Sequence, residues 1–282
     1  MRGGAILLAA AALAGGCAGH RPRPVLPDTT FSQWVHGETP PSPEELLEYA
    51  LTSLRKVNNL VLRSQLRLTG VDLGGPNEAQ SLVVFERPDK VRVEASQMLA
   101  PDVFTLISNG VAFWLLLPTQ NQIWVGRHRR PPEIPFRGSQ LLRPADLVAA
   151  FLFDDPVAGG PLRLQGPEGG WGWVGVPLSA TPPDPELERV LWLDPAGGDP
   201  IRQDFVGRES GEIEAIVEYE DVQEVQELRW PFTVKLSRPA EGVALEIKTR
   251  RLRYNAPYPA GLFTFDRWPD GVEIVRPDAP YD

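Results

Sequence analysis

The sequence predicts a mainly β fold of the α+β kind: a large curved antiparallel sheet with one wet face, its apolar face covered by helices. Three observations predict it. From Leu60 onward apolar residues recur at a spacing of two. Clusters of Gly, Pro, Asn and Asp interrupt these runs at short intervals. Two segments, opening near Ser42 and Arg143, carry helical signals instead.

The first helix starts at Ser42-Pro43-Glu44-Glu45, where Ser42 caps, Pro43 suits the first helical position and Glu45 completes a capping box. Leu46, Leu47, Ala50, Leu51, Leu54 and Val57 form one apolar stripe, and Asn58-Asn59 ends it. In the strand that follows, Leu60, Leu62, Leu66 and Leu68 alternate with Val61, Arg63, Gln65 and Arg67. The turn at 74–77 leads to SLVVFE, and Arg87-Pro88-Asp89-Lys90 leads to VRVEA. FTLIS and VAFWLLLP pair across Asn109-Gly110, a turn that accommodates positive φ, and IWVG follows the turn at 119–121. Arg143-Pro144-Ala145-Asp146 opens the second helix over LVAAFLF, closed by the Gly/Pro-rich segment from Asp154. WGWVGV, RVLWLD, IRQDFV, EIEAIVEYE, FTVKLS and VALEIKTRRLRY complete the meander, with antiparallel pairing expected throughout. In EIEAIVEYE, Ile213, Ala215, Val217 and Tyr219 share one face, and Glu212, Glu214, Glu218 and Glu220 mostly share the other. That carboxylate row reads as a solvated sheet face, because metal sites need ligands converging from several elements.

Composition bounds the function. With 42% hydrophobic and 23% charged residues the chain is an ordinary globular one. A net charge of −9 argues against a nucleic-acid partner, which requires a basic stripe. His20, His36 and His128 are scattered, and no nucleophile elbow, paired-His metal motif or phosphate loop occurs, so no enzyme, catalytic residue, metal or cofactor is expected. The run RHRRPP at 127–132 reads as a soluble loop or as a contact for anionic headgroups.

The N-terminus reads as a targeting signal, with Arg2 ahead of an apolar stretch from Ala5 to Ala14. That stretch is too short to span a bilayer, which needs roughly 20 residues. It leads through LAGGC to Cys17, the only cysteine, so neither an internal disulfide nor a cysteine zinc site is available. This start resembles the lipobox of bacterial lipoproteins, displaced by one residue because Leu13 stands four positions before Cys17. The resemblance implies cleavage before Cys17, acylation of its thiol and amine, and, with Ala18 next, residence in the outer membrane. An ordinary signal with an incidental cysteine is the alternative. The expected organisation is a signal peptide at 1–16, a lipidated N-terminus and Pro-rich tether at 17–41, one domain at 42–276 and a tail at 277–282. The tether would span about 25–30 Å.

The order helix, "RPDKVRVEA", short apolar loop, "ISNGVAFWLLLP", "IWVG", helix, meander, "YNAPYPAGLFTF" and "PDGVEIV" resembles the LolA/LolB superfamily of outer-membrane lipoprotein carriers and receptors. The resemblance implies an incomplete antiparallel barrel whose helices enclose an apolar cavity for lipoprotein acyl chains. With a lipidated N-terminus it implies a monomeric LolB-like receptor on the periplasmic face of the outer membrane. Such a receptor would take clients from a periplasmic LolA-like carrier and insert them. It places Met98 and Leu99 in a membrane-contacting loop, although Leu99 folded inward as a core cap fits the residues equally well. Leu66, Leu68, Val84, Val93, Leu106, Trp114, Leu116, Val217, Val234 and Leu245 are the expected inward residues, whether they line a cavity or fill a solid core. The Gly/Pro/Trp-rich segment 154–185 departs from the compact receptor pattern.

Overall fold

The computed structural model describes residues 52, 55–71, 77–97, 100–128, 134, 137–153, 163–165, 173–178, 186–194, 198–265 and 270–276. The expected signal peptide, Cys17, the tether, the stripe residues Leu46, Leu47, Ala50, Leu51 and Leu54, the pair Met98 and Leu99, most of 154–185 and the 277–282 tail lie outside the described residues, whereas Val57, the last residue of that stripe, is described and buried.

Six strands form the first half of the molecule: β1 (Asn59–Thr69), β2 (Glu78–Glu86), β3 (Lys90–Gln97), β4 (Ala100–Ser108), β5 (Ala112–Leu117) and β6 (Gln122–Arg127). A helix, α1 (Pro144–Phe151), precedes β7 (Arg163–Gln165), β8 (Trp173–Leu178), β9 (Leu187–Leu193), β10 (Pro200–Gly207), β11 (Ile213–Val225), β12 (Leu228–Arg238) and β13 (Val243–Tyr254). A last short strand, β14, spans Glu273–Val275. All belong to one 14-stranded sheet in the order β14-β6-β5-β4-β3-β2-β1-β13-β12-β11-β10-β9-β8-β7. Its two edges, β14 and β7, do not pair, so the sheet is not closed into a barrel. The two meander halves join through β1 and β13, the first and last long strands.

Pairing is antiparallel except at one edge, which corrects the expectation of antiparallel pairing throughout: β14 runs parallel to β6, with Ile274 beside Ile123. The chain arrives there as a crossover from the middle of the sheet. Parallel neighbours require such a connection, and a strand of three residues carries no periodic signal of its own. Asn121 secures it, donating from Nδ2 to Gly271 O at 2.9 Å and accepting from Glu273 N at 3.0 Å.

The turns have local causes. Between β4 and β5 the Asn109 Oδ1 accepts from the backbone N–H groups of Val111 and Ala112, at 3.0 and 2.9 Å. Gly110 has a φ of 87°, and a Cβ there would meet the Asp89 carboxylate, so glycine is required on both counts. Elsewhere Ala215, Val217 and Tyr219 face the core as expected, but Ile213 is 40% exposed. A bulge causes this: Phe205 pairs with Ala215 and Val206 with Ile213, so Glu214 has no opposite residue and the alternation slips.

Candidate functional site

The site begins with the sheet face that buries its side chains. On β1, Leu60, Leu62, Ser64, Leu66 and Leu68 are buried, and the register carries this face across both halves. Leu62 lies opposite Val83 and Leu252, Val83 opposite Val93, Val93 opposite Leu106, and Leu106 opposite Leu115. The result is one contiguous apolar cluster spanning β1 to β6 and β8 to β13.

Helix α1 lies across this face. Pro144 is pre-set for its first turn, and Asp146 there suits the helix dipole. Seven of its eight residues are buried, so it is stable only when covered. At two turns it depends on tertiary contacts. Those contacts reach both halves of the sheet. Phe151 stacks on Phe85 of β2 with ring centroids 4.6 Å apart. Asp146 accepts from Arg238 of β12 at 3.0 Å, both side chains being buried. Ala150 O accepts from the Tyr219 hydroxyl of β11 at 3.0 Å, and the same hydroxyl meets the Gln203 carboxamide of β10 at 3.1 Å. Just past the helix, Phe153 packs its ring against Tyr219 and Trp230, with centroids at 5.3 and 6.4 Å. Arg87 binds Val57 O and Phe153 O, tying the start of β1 to the end of the helix segment.

Polar groups are sparse on this surface. Burial pushes the pKa of Tyr219 well above its ordinary value, while the charge of Arg189 pulls the other way. The Gln203 Nε2 and the Trp230 Nε1 are buried with no hydrogen-bond partner among the described residues. No group of three His, Cys, Asp or Glu side chains is placed to hold a metal among the described residues. No helix there is long and apolar enough to cross a membrane.

The ten expected inward residues divide by face. Leu66, Leu68, Val93, Leu106, Val217, Val234 and Leu245 belong to the apolar cluster beneath α1. Val84, Trp114 and Leu116 do not, and their inward assignment is corrected: they project from the opposite, convex face. The register shows why. Val84 pairs with Arg92, Arg92 with Ile107, and Ile107 with Trp114, a row one residue out of phase with Val83, Val93, Leu106 and Leu115. VVF and VAFWLLLP are continuous apolar runs without alternation, so their phase is ambiguous when read alone. Counting across the Asn109-Gly110 hairpin resolves it, since Leu106 opposite Leu115 excludes Trp114 from the same face.

The segment after β13 covers part of that outward face, including Trp114. Asn255, at a φ of 48°, accepts from Asn58 N at 2.8 Å and donates to Lys56 O at 2.7 Å, starting the segment across the outside of the sheet. Arg92 Nη1 then donates to Leu262 O at 2.8 Å, Lys90 Nζ sits 5.8 Å from the Phe263 ring centre, and Phe265 stacks on Trp114 at 6.5 Å. This strap and the Asn255 clamp were not anticipated. "YNAPYPAGLFTF" shows aromatics, but their covering role depends on the phase of β5.

Met98 and Leu99 sit in sequence between Gln97 and Ala100, which pair as the last residues of β3 and the first of β4. Of the basic run 127–132, Arg127 is exposed and His128 is buried. His128 Nδ1 lies 2.7 Å from Ser108 Oγ, a spacing that superficially suggests a nucleophile and base. The same hydroxyl also donates to Ala112 O at 2.9 Å and accepts from Gly110 N at 3.3 Å, so it is tied into the hairpin backbone. Ser108 is fully buried and His128 nearly so, and the pair closes the β4–β5 hairpin onto the end of β6.

What this geometry defines among the described residues is a class: an open, curved sheet whose concave side is apolar and crossed by the short helix α1. Solved structures share it. A LolA superfamily protein from Nitrosomonas europaea superposes with a TM-score of 0.54 at 13% identity, covering 80% of this chain and 98% of that one. A DUF1329 family protein from Desulfovibrio piger (TM-score 0.49, 13% identity, 78% and 95% covered) is also similar. So is a Vibrio parahaemolyticus domain assigned to outer-membrane lipoprotein sorting (TM-score 0.44, 16% identity, 79% and 97% covered). No family model and no curated protein matches the sequence. At this identity the first likeness establishes a LolA-like fold.

Proposed function

We propose that this protein is a non-catalytic envelope lipoprotein, held on the periplasmic face of the outer membrane through acylated Cys17, which uses the concave face of its LolA-like sheet to bind acyl chains or a similarly apolar ligand. The observation that supports this reading is the contiguous apolar face under α1 in a sheet whose edges do not meet. Binding by such a face is driven by removing CH₂ groups from water, about 0.8 kcal/mol for each one buried. Mass analysis of the mature N-terminus tests the anchor: a chain starting at acylated Cys17 agrees, and an unmodified cysteine contradicts it.

The sharper form of the reading is a LolB-like receptor that takes lipoproteins from a periplasmic carrier and inserts them, with Met98 and Leu99 meeting the bilayer. Depletion followed by membrane fractionation separates the two forms. Misplacement of other lipoproteins agrees with the receptor, and normal sorting leaves a binding or scaffolding module.

A further inference from the structure

The convex face of β1 and β13 carries charges that are matched at one end and unmatched at the other. At the matched end Arg67 pairs with Glu78 at 2.9 Å and Lys248 with Glu246 at 3.0 Å, around a shallow polar notch of about 60 Å³. At the other end Arg63 lies directly opposite Arg251, a like-charge cross-strand pair that costs stability in a sheet. Arg253 follows two residues along the same strand, opposite Val61. Arg250 joins them because the register shifts: Arg63 pairs with Arg251 and Ser64 with Thr249, leaving Arg250 without an opposite residue. That bulge turns both Arg250 and Arg251 outward between buried Thr249 and buried Leu252.

All four arginines are exposed, and none has a carboxylate partner among the described residues; the Arg250 guanidinium reaches only Gln65 Oε1 at 3.3 Å. The β2 and β3 residues that follow across the sheet from Arg63 supply no free acid. Leu82, not an acid, stands opposite Arg63 on β2, and Glu94 beyond it is bound to Arg92. In a chain with 37 acidic and 28 basic residues, four unmatched guanidinium groups on two neighbouring strands are not a by-product of overall charge.

We infer that this patch docks the domain on an anionic phospholipid surface, each guanidinium pairing with headgroup phosphates. Arginine suits that partner because its planar fork binds phosphate oxygens bidentately. The path of the chain selects a membrane as the occupant. Lys56 and Asn58, through which the chain joins β1, are held by Asn255, two residues past Arg253. The described chain therefore enters β1 at the basic end of the face. The choice of occupant, though not the patch, rests on reading Cys17 as an anchor, and an unlipidated chain separates the two.

The test uses the full chain carrying Cys17→Ser, incubated with vesicles of phosphatidylcholine alone and of phosphatidylcholine mixed with phosphatidylglycerol. Tighter binding to the anionic vesicles is expected, lost at high salt as screening shortens the range of the attraction. Replacing Arg63 and Arg251 by Gln should weaken that preference roughly 25-fold, since each basic residue near such a surface contributes roughly a fivefold factor. The double variant relieves a like-charge pair, so its melting temperature should not fall. Arg250→Gln with Arg253→Gln provides an independent pair with the same expected loss. Arg67→Gln, at the matched end, should leave the preference unchanged. Equal binding to both vesicles, or an anionic preference that survives both double variants, overturns the inference. Binding to polyglutamate without binding to the anionic vesicles overturns it in favour of an acidic protein partner.

Discussion

The two faces of the sheet are built from alternate residues of the same strands, yet different interactions hold them. On the concave face the cluster around Leu62, Val83, Val93, Leu106 and Leu115 excludes water, and its polar contacts are few and buried. On the convex face the first half of the sheet is covered by the strap through Leu262, Phe263 and Phe265, while β1, β13 and β12 stay wet and charged. The concave side therefore needs helix α1 to complete it, and the convex side needs only a strap where the strands happen to be apolar on both faces. Burial decides how much each contact contributes, so similar ion pairs differ sharply in value between the faces.

The largest difference should appear in those ion pairs. Arg238→Ala leaves Asp146 as an uncompensated buried carboxylate on α1 and should cost about 3–5 kcal/mol in denaturant unfolding. Trp114→Ala, which removes a half-buried ring from beneath Phe265, should cost about 2 kcal/mol and speed hydrogen exchange in β14 more than in β13. Tyr219→Phe should cost about 1 kcal/mol at neutral pH through the lost bond to Ala150 O.

Tyr219→Phe should also change the alkaline limb. The folded pKa of Tyr219 is raised above the ordinary value of 10.0, so above that pH the unfolded chain loses a proton the folded one keeps. Stability that is complete below pH 10 should thus fall as pH rises beyond it, and Tyr219→Phe should flatten that fall. A limb unchanged by the substitution would show that other groups cause it. The smallest effect should come from Lys235→Ala. Its 3.2 Å pair with Glu218 is 43% exposed on each side, and loss of it should cost at most about 0.5 kcal/mol.

The same contrast explains what was legible in the sequence. Where one face is wet, as in β1 and β13, alternation marks both the strand and its phase, and Leu66, Leu68 and Leu245 lie on the buried face. Where both faces are covered, as in VVF and VAFWLLLP, the strand was visible but the phase was not. Val84, Trp114 and Leu116 therefore read as inward although they lie one residue out of phase with Val83, Leu106 and Leu115. Their cover comes from residues about 150 positions later in the chain, with Phe265 over Trp114, and no local pattern announces that. Asn109-Gly110 marked its hairpin because positive φ at Gly110 has a compositional signature. The parallel strand β14 had none, being three residues fixed by Asn121 and by the neighbouring edge. The basic patch was hidden for a related reason. Arg250 and Arg251 are adjacent in sequence and would face opposite sides of a regular strand, and only the bulge puts them together.

An acyl chain held on the concave face, as proposed, would lie close to some tryptophans and far from others. Tryptophans mark both sides: Trp124 and Trp230 are buried in the concave cluster, and Trp114 and Trp192 lie outside it. Titrating the chain with a brominated fatty acid, whose bromines quench only nearby indoles, should quench the emission that Trp230→Phe removes. The emission that Trp192→Phe removes should be left unquenched. Equal quenching of both, or no saturable quenching of Trp230, would contradict the claim.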